Sequence, residues 1–185
     1  MKRLALLAAL SLLATPALAA DWAVDVPHSH LGFSGVQNGA PFQGSFGKWN
    51  AEIAFDPAHP DAGHAKVTID LSSAKTGDVQ RDGALPQAEW FDVKAFPEAT
   101  FEATGFVAKG GDTYEAPGKL TIRGIAKDVV LPFTLTVTGD KATAKGHLSL
   151  VRTGFGVGQG VWATAEWVGL DVGVDVDLTA THSGS

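Results

Sequence analysis

The fold is decided by one stretch near the C-terminal end of the chain, residues 168–180, which reads VGLDVGVDVDLTA. Every second residue from Val168 to Ala180 is apolar, and the residues between them are glycine, aspartate or threonine. Successive side chains of a β-strand point to opposite faces of the sheet. The stretch therefore predicts a long strand with one apolar and one solvated face, as is typical of antiparallel sheets.

Shorter segments with the same alternation occur along most of the chain, at residues 49–56, 66–71, 119–123, 129–138 and 142–150. Turn residues separate them, and segments 22–33 and 100–107 bring the total to about eight strands. Residues 78–91 lack the alternation and predict a short helix or an ordered crossing segment, in which Trp90 and Phe91 cap one end of the sheet. An all-β, eight-stranded antiparallel barrel would hide the apolar faces, and a β-sandwich satisfies the pattern nearly as well.

The N-terminal residues have the layout of a secretory signal peptide. Lys2 and Arg3 precede an apolar run at 4–14, and Ala17 and Ala19 then place small residues at alternate positions. The run is shorter than the about 20 apolar residues of a membrane span. We therefore predict a cleaved signal peptide at residues 1–20 and a single exported domain at 21–185.

The composition is globular, with 45% hydrophobic and 18% charged residues. Acidic residues outnumber basic ones by 20 to 14, which gives a net charge of −6 and makes nucleic acid an unfavourable partner. The chain contains no cysteine, so thiolate metal sites are excluded. His28 and His30 share a strand face, but the other histidines lie on other segments, and we predict no metal site and no cofactor.

Short motifs occur in a fixed order across residues 22–158, and none of them is specific alone. They are WAVDVPHS at 22–29, FDP at 55–57, TG at 76–77, RD at 81–82, FDV at 91–93, FP at 96–97, GKLTIRG at 118–124 and FGVG at 155–158. As an ordered set they resemble the YceI-like periplasmic lipid- or polyisoprenoid-binding proteins. Gln37 and Asn38 depart from the Lys-His pair that is common in that family.

The resemblance implies a lipocalin-like barrel in the periplasm, with a long internal tunnel for an isoprenoid quinone, a polyprenyl phosphate or a related amphiphile. It implies no catalytic residues. Accordingly, the expected partner is a long-chain isoprenoid lipid or quinone. A membrane protein that donates or accepts this ligand, and a homodimer, both remain open.

The candidate ligand contacts are the apolar residues expected to face the barrel interior. On the residues alone they fill a dry core, whereas the resemblance favours an open tunnel. They are Phe33, Trp49, Ile53, Phe55, Trp90, Phe91, Phe101, Leu120, Ile122, Phe133, Leu148, Leu150 and Phe155.

Four polar side chains are candidates for the ligand's head group: His28, Arg81, Arg123 and Arg152. The planar fork of arginine suits oxyanions and carbonyls. The alternative is that an arginine pairs with an aspartate and pins the crossing segment to the barrel.

Two other functions compete with a lipid carrier. A small outer-membrane barrel also has a signal peptide and alternating strands, but its apolar face points outward. An enzyme acting on a lipid would use His28 with a nearby carboxylate as its acid–base pair. The chain lacks the G-x-S-x-G and H-E-x-x-H motifs and a cysteine nucleophile, so we expect no catalysis.

Overall fold

The computed structural model describes residues 20–183, which form one antiparallel sheet that closes on itself. The predicted signal peptide lies outside the described residues, apart from Ala20. The strands are β1 Asp21–Val24, β2 His30–Gln37, β3 Ala40–Phe46, β4 Trp49–Ala54, β5 His64–Asp70, β6 Ala74–Lys75, β7 Glu98–Ala103, β8 Val107–Gly110, β9 Thr113–Ile122, β10 Ile125–Thr138, β11 Lys141–Val151 and β12 Asp171–His182.

The stretch that decides the fold also closes the barrel. β12 pairs with β11 along one edge, and on its other edge with β1, where Val24 lies opposite Ala180, and with β2, where Phe33 lies opposite Val174. The strand order β1-β4-β5-β7-β9-β10-β11-β12 returns to β1. The predicted eight-stranded antiparallel barrel is therefore confirmed, and the sandwich is wrong.

The first predicted strand, residues 22–33, is broken in two by a 3-10 turn at Val26–His28. Pro27 fixes its own backbone angle and has no N–H to donate to a neighbouring strand. Ser29 replaces the lost pairing, because its Oγ accepts a 2.9 Å hydrogen bond from the backbone N–H of Thr179. β1 and β2 thus act as one bent barrel strand.

The crossing segment contains one helix of six residues, α1 Val79–Ala84. The Asp78 side chain caps its first turn by accepting 3.0 Å bonds from the N–H groups of Gln80 and Arg81. Residues 85–97 then run across one end of the barrel, where Phe91 is buried in the core. No helix among residues 20–183 is long and apolar enough to cross a membrane.

The core consists of two apolar clusters at opposite ends of the barrel. One includes Leu31, Leu71 and Phe91 beside the crossing segment. The other, here called the aromatic plug, consists of Phe55, Phe106, Tyr114 and Phe133. Its ring centroids lie between 5.1 and 5.9 Å apart. Edge and stacked contacts of this kind add to the free energy of burial, so this end is filled by side chains.

Candidate functional site

An internal cavity of about 260 Å³ lies inside the barrel. Every residue that lines it is apolar or glycine, except Arg152. For scale, an engineered apolar cavity of about 150 Å³ binds benzene, and small-molecule sites begin at about 300 Å³. The barrel interior therefore has room for a slim apolar molecule.

The wall of the cavity combines small and large side chains. The inward residues of β11 include Ala142, Ala144 and Gly146, and β9 contributes Ala116. Aromatic rings line other parts of the wall, among them Phe33, Phe42, Phe46 and Trp49. Alanine side chains leave a gap that leucine side chains at the same positions would fill. Most protein interiors, by contrast, pack as densely as crystals of small organic molecules.

All thirteen predicted apolar residues line this cavity. They are Phe33, Trp49, Ile53, Phe55, Trp90, Phe91, Phe101, Leu120, Ile122, Phe133, Leu148, Leu150 and Phe155. Whether they contact a ligand stays a prediction.

Four aromatic lining residues are missing from the predicted set: Trp22, Phe42, Phe46 and Phe106. Phe42 and Phe46 alternate on β3 with Gly44 between them, and the Phe33 ring lies directly against the Gly44 backbone. The spacing of Phe42 and Phe46 fits a strand with one apolar face. Gly44, which lies between them on that face, has no apolar side chain, so the alternation is not evident in the sequence. Phe106 lies between β7 and β8, outside any strand, so no period of two marks it.

A second cavity of about 210 Å³, here called the vestibule, adjoins the first. The two share Phe42, Leu85, Trp90 and Val168 in their walls. The vestibule adds the polar side chains of Gln37, Thr76, Gln80 and Arg81, together with the ring of Trp162. The two cavities therefore adjoin at the end where the crossing segment lies, and the wall of the second is partly polar.

Arg81 is the charged side chain of the vestibule. Its Nη1 donates to Gln37 Oε1 at 3.0 Å, its Nε donates to Thr76 Oγ1 at 3.2 Å, and its guanidinium lies 4.9 Å from the Phe42 ring centre. Asp78 is 3.9 Å from Nη2, beyond hydrogen-bond distance. The geometry fixes the guanidinium and leaves N–H groups on its terminal nitrogens for an acceptor.

Arg152 donates its hydrogen bonds to the backbone of the protein itself. It is 4% exposed, and its three nitrogens donate to the carbonyl oxygens of Val157, Trp162, Thr164, Val168 and Gly169 at 2.7 to 3.3 Å. Burial lowers the pKa of its guanidinium from the ordinary value. Arg152 thus organises the loop at 156–169 and has no geometry for a head group.

None of the glycines that alternate at 154–160 lies in a strand: Gly154 belongs to the 3-10 turn Arg152–Phe155, and Gly156, Gly158 and Gly160 belong to this loop. Gly158 adopts a φ of 81°, and a Cβ there would overlap Arg152 Nη1. The Gly158 contact is a close backbone approach, of the kind for which glycine is needed.

Arg123 joins the β9–β10 turn to the crossing segment. Its Nη1 donates to the carbonyl oxygens of Ala88, at 2.7 Å, and Trp90. Asp92 lies 4.0 Å from its Nη2, and the side chain is 8% exposed. This is the pinning role that the sequence left open as an alternative.

His28 lies outside both cavities. It pairs with Asp25 at 2.9 Å, and its side chain is 76% exposed. Of the four predicted head-group residues, the structure brings only Arg81 to the vestibule wall.

Comparison with known proteins identifies the class. The sequence profile of the YceI-like domain matches residues 22–180, so the chain belongs to the YceI-like family. A UPF0312 protein of Azotobacter vinelandii is 30% identical over 174 residues, covering 86% of this chain and 88% of that protein. A UPF0312 protein of Pectobacterium atrosepticum is 37% identical over 150 residues, covering 75% and 74%.

Solved structures share the barrel. BcnA of Burkholderia cenocepacia superposes with a TM-score of 0.83 at 36% identity, covering 85% of this chain and 99% of BcnA. A polyisoprenoid-binding domain of Saccharophagus degradans, implicated in plant cell wall breakdown, superposes with a TM-score of 0.69 at 17% identity. That match covers 89% of this chain and 99% of the domain, and it supports the fold alone.

Proposed function

We propose that this protein is exported to the periplasm and encloses the chain of a polyisoprenoid or an isoprenoid quinone inside its barrel. The observation that carries the proposal is the cavity wall: its residues are apolar or glycine, and the one charged side chain among them, Arg152, bonds to backbone carbonyls. Each buried CH₂ group contributes about 0.8 kcal/mol before ordering costs. A long hydrocarbon therefore gains affinity here without any polar contact.

The vestibule receives the head group in this proposal. Arg81 and Gln37 line the vestibule beside the apolar cavity, and the terminal nitrogens of Arg81 supply N–H donors. Asp78 and Asp82 lie beside Arg81 in the crossing segment, and the whole chain has a net charge of −6. These charges oppose a multiply charged diphosphate, so a neutral quinone carbonyl is the favoured head group and a polyprenyl phosphate the alternative.

The fold is compatible with this assignment. The Saccharophagus domain with the same fold is described as polyisoprenoid-binding, and the family match covers the whole barrel. Export rests on the sequence pattern of residues 1–20.

The two competing functions have weaker structural support. The apolar strand faces point inward, whereas the outward faces of β11 and β12 carry the ion pairs Lys145–Asp177 and His147–Asp175. A barrel in an outer membrane needs the opposite arrangement. An enzyme using His28 would need a substrate beside it, and the His28–Asp25 pair lines neither cavity.

Mass spectrometry of an organic extract from natively prepared protein tests the proposal. We expect one prenylated molecule per protein chain, and a quinone would identify the head group. An extract without lipid, from protein that is folded by circular dichroism, would contradict the proposal and favour a barrel that acts through its outer surface.

Ala144→Phe provides a variant that fills the cavity. Ala144 faces the cavity, and its neighbour Thr143 is exposed on the outer face of β11. Ala144→Phe is expected to reduce the bound lipid by at least about tenfold by occupying its space, and Thr143→Phe to leave it unchanged. If Ala144→Phe disturbs folding, Ala144→Leu supplies a smaller change. Equal lipid content in all variants would place the ligand elsewhere.

A further inference from the structure

Several exposed apolar residues stand next in the chain to residues of the vestibule wall. Val79 is 88% exposed, Val161 71%, Trp167 49% and Val36 43%. Each is the chain neighbour of a residue that lines the vestibule, and those neighbours are Gln80, Trp162, Val168 and Gln37. We call Val36, Val79, Val161 and Trp167 the apolar collar.

Backbone hydrogen bonds hold two parts of the collar in place. Gly169 donates from its N–H to the Val36 carbonyl at 2.8 Å, and Asn38 donates to the Trp167 carbonyl at 2.9 Å. These two bonds join the Val36 and Trp167 parts of the collar. Exposed apolar groups that are positioned in this way, beside a cavity, indicate an interaction surface.

The same arginines that shape the vestibule also position the rest of the collar. Arg152 donates to the carbonyls of Trp162 and Val168, which fixes the loop that carries Val161 and Trp167. The bond from Arg81 to Gln37 ties helix α1, with Val79, to β2. The collar is thus part of the same assembly as the mouth of the cavity.

The chemistry of the collar fits a lipid bilayer. Tryptophan side chains partition into the membrane interface, where the indole keeps its N–H near polar head groups, and valine side chains add apolar surface that a bilayer can cover. Acidic neighbours flank the collar, with Asp78 before Val79 and Glu166 before Trp167, and the net charge of the chain is −6. Acidic groups are repelled by anionic lipids, so a zwitterionic surface is the matching partner.

We propose that the collar docks on a zwitterionic bilayer surface, so that a lipid passes between the membrane and the barrel without crossing water. The route of the lipid rests on the proposed function, whereas docking itself can be measured independently. Docking through four side chains is weak and reversible, as exchange requires.

Vesicle binding tests the docking. Full-length mature protein, with its natural ligand content, is mixed with vesicles of phosphatidylethanolamine and phosphatidylcholine, and bound protein is measured by co-sedimentation. The collar variant Val79→Ser/Val161→Ser/Trp167→Ser is expected to bind about tenfold more weakly. The control variant Val107→Ser/Val137→Ser changes exposed valines away from the vestibule and is expected to bind like the unchanged protein.

Several outcomes would overturn the docking proposal. These are equal binding by the collar variant, no binding by the unchanged protein, stronger binding to vesicles containing phosphatidylglycerol, or binding to native membranes but not to pure lipid. Binding to native membranes but not to pure lipid would show that the collar docks on a membrane protein. Lipid in the extract combined with no vesicle binding would leave the proposed function intact, whereas vesicle binding by an empty barrel would refute only the proposed function.

A second measurement does not depend on the stability of the triple variant. Brominated lipids quench tryptophan fluorescence at short range, and Trp167 is the exposed indole of the collar. We expect Trp167→Phe to remove most of the quenching on vesicles. Undiminished quenching in Trp167→Phe would show that the membrane meets another surface.

Discussion

The two ends of the barrel are closed in different ways. At one end the aromatic plug fills the interior with rings from the strands and from the β7–β8 connection, and its members Phe106 and Tyr114 are 7% and 8% exposed. At the other end the closure is made of loops, the crossing segment and residues 156–169, which Arg123 and Arg152 hold by hydrogen bonds to backbone carbonyls.

This difference indicates which end can open. Side chains in the plug cannot leave without losing their packing against the whole barrel, because interiors are close-packed. Loops attached by a few hydrogen bonds open locally at lower free energy than global unfolding. Ligand entry is therefore expected at the end with the crossing segment, where the vestibule also lies.

The largest expected effect comes from the plug. Phe106 packs against Phe55 and Phe133, with ring centroids 5.1 and 5.9 Å apart. Phe106→Ala is expected to lower the free energy of unfolding by about 3–5 kcal/mol, as deletion of a buried ring usually does. Urea denaturation measures this loss of stability, and protection from hydrogen exchange should fall throughout the barrel. Loss confined to the strand ends near Phe106 would contradict the comparison of the two ends.

A smaller and local effect is expected at the other end. Arg152→Met removes the donors for five buried or partly buried carbonyls and should lower the free energy of unfolding by about 2–3 kcal/mol. Hydrogen exchange should increase in residues 156–169, while the plug stays protected. The control Arg152→Lys keeps the charge and one or two of the bonds. Its free energy of unfolding should lie between those of the unchanged protein and Arg152→Met. An equal increase over the whole barrel would show that the two ends unfold as one unit.

The sequence predicted the barrel wall well because a period of two reports which face of a strand is buried. The alternation at Val168 to Ala180 and ten of the thirteen predicted lining residues follow from this rule, whereas Trp90, Phe91 and Phe155 lie outside the alternating segments. Where the rule is interrupted, the prediction became incomplete. Pro27 broke the expected first strand, Gly44 hid Phe42 and Phe46, and Phe106 lies outside any strand.

The roles of the arginines could not be read from the sequence, because they depend on backbone atoms far along the chain. Arg123 reaches Ala88 and Trp90, and Arg152 reaches carbonyls up to residue 169. No local pattern distinguishes an arginine that binds carbonyls of its own fold from one that awaits a ligand. The same holds for the collar, since its four members come together only when the loops are folded.

The smallest effect concerns the pH dependence of the crossing segment. The Thr76 backbone N–H and hydroxyl both donate to Asp82, and this lowers the pKa of the Asp82 carboxyl below its ordinary value of 3.8. A carboxyl whose pKa is lower in the folded state stabilises that state above its unfolded pKa, and the stabilisation is lost as the pH falls through the folded value. We therefore expect the crossing segment to loosen only below about pH 4, while the plug, built from uncharged rings, is unaffected.

Hydrogen exchange of residues 78–97 between pH 5 and pH 3 measures this, with Asp82→Asn as the variant whose protection should be lower at pH 5 and flatter with pH. A steep acid transition that persists in Asp82→Asn would assign the pH dependence to other carboxyls, of which Asp78, whose pKa is also lowered by its bond from the Arg81 N–H, is the next to test.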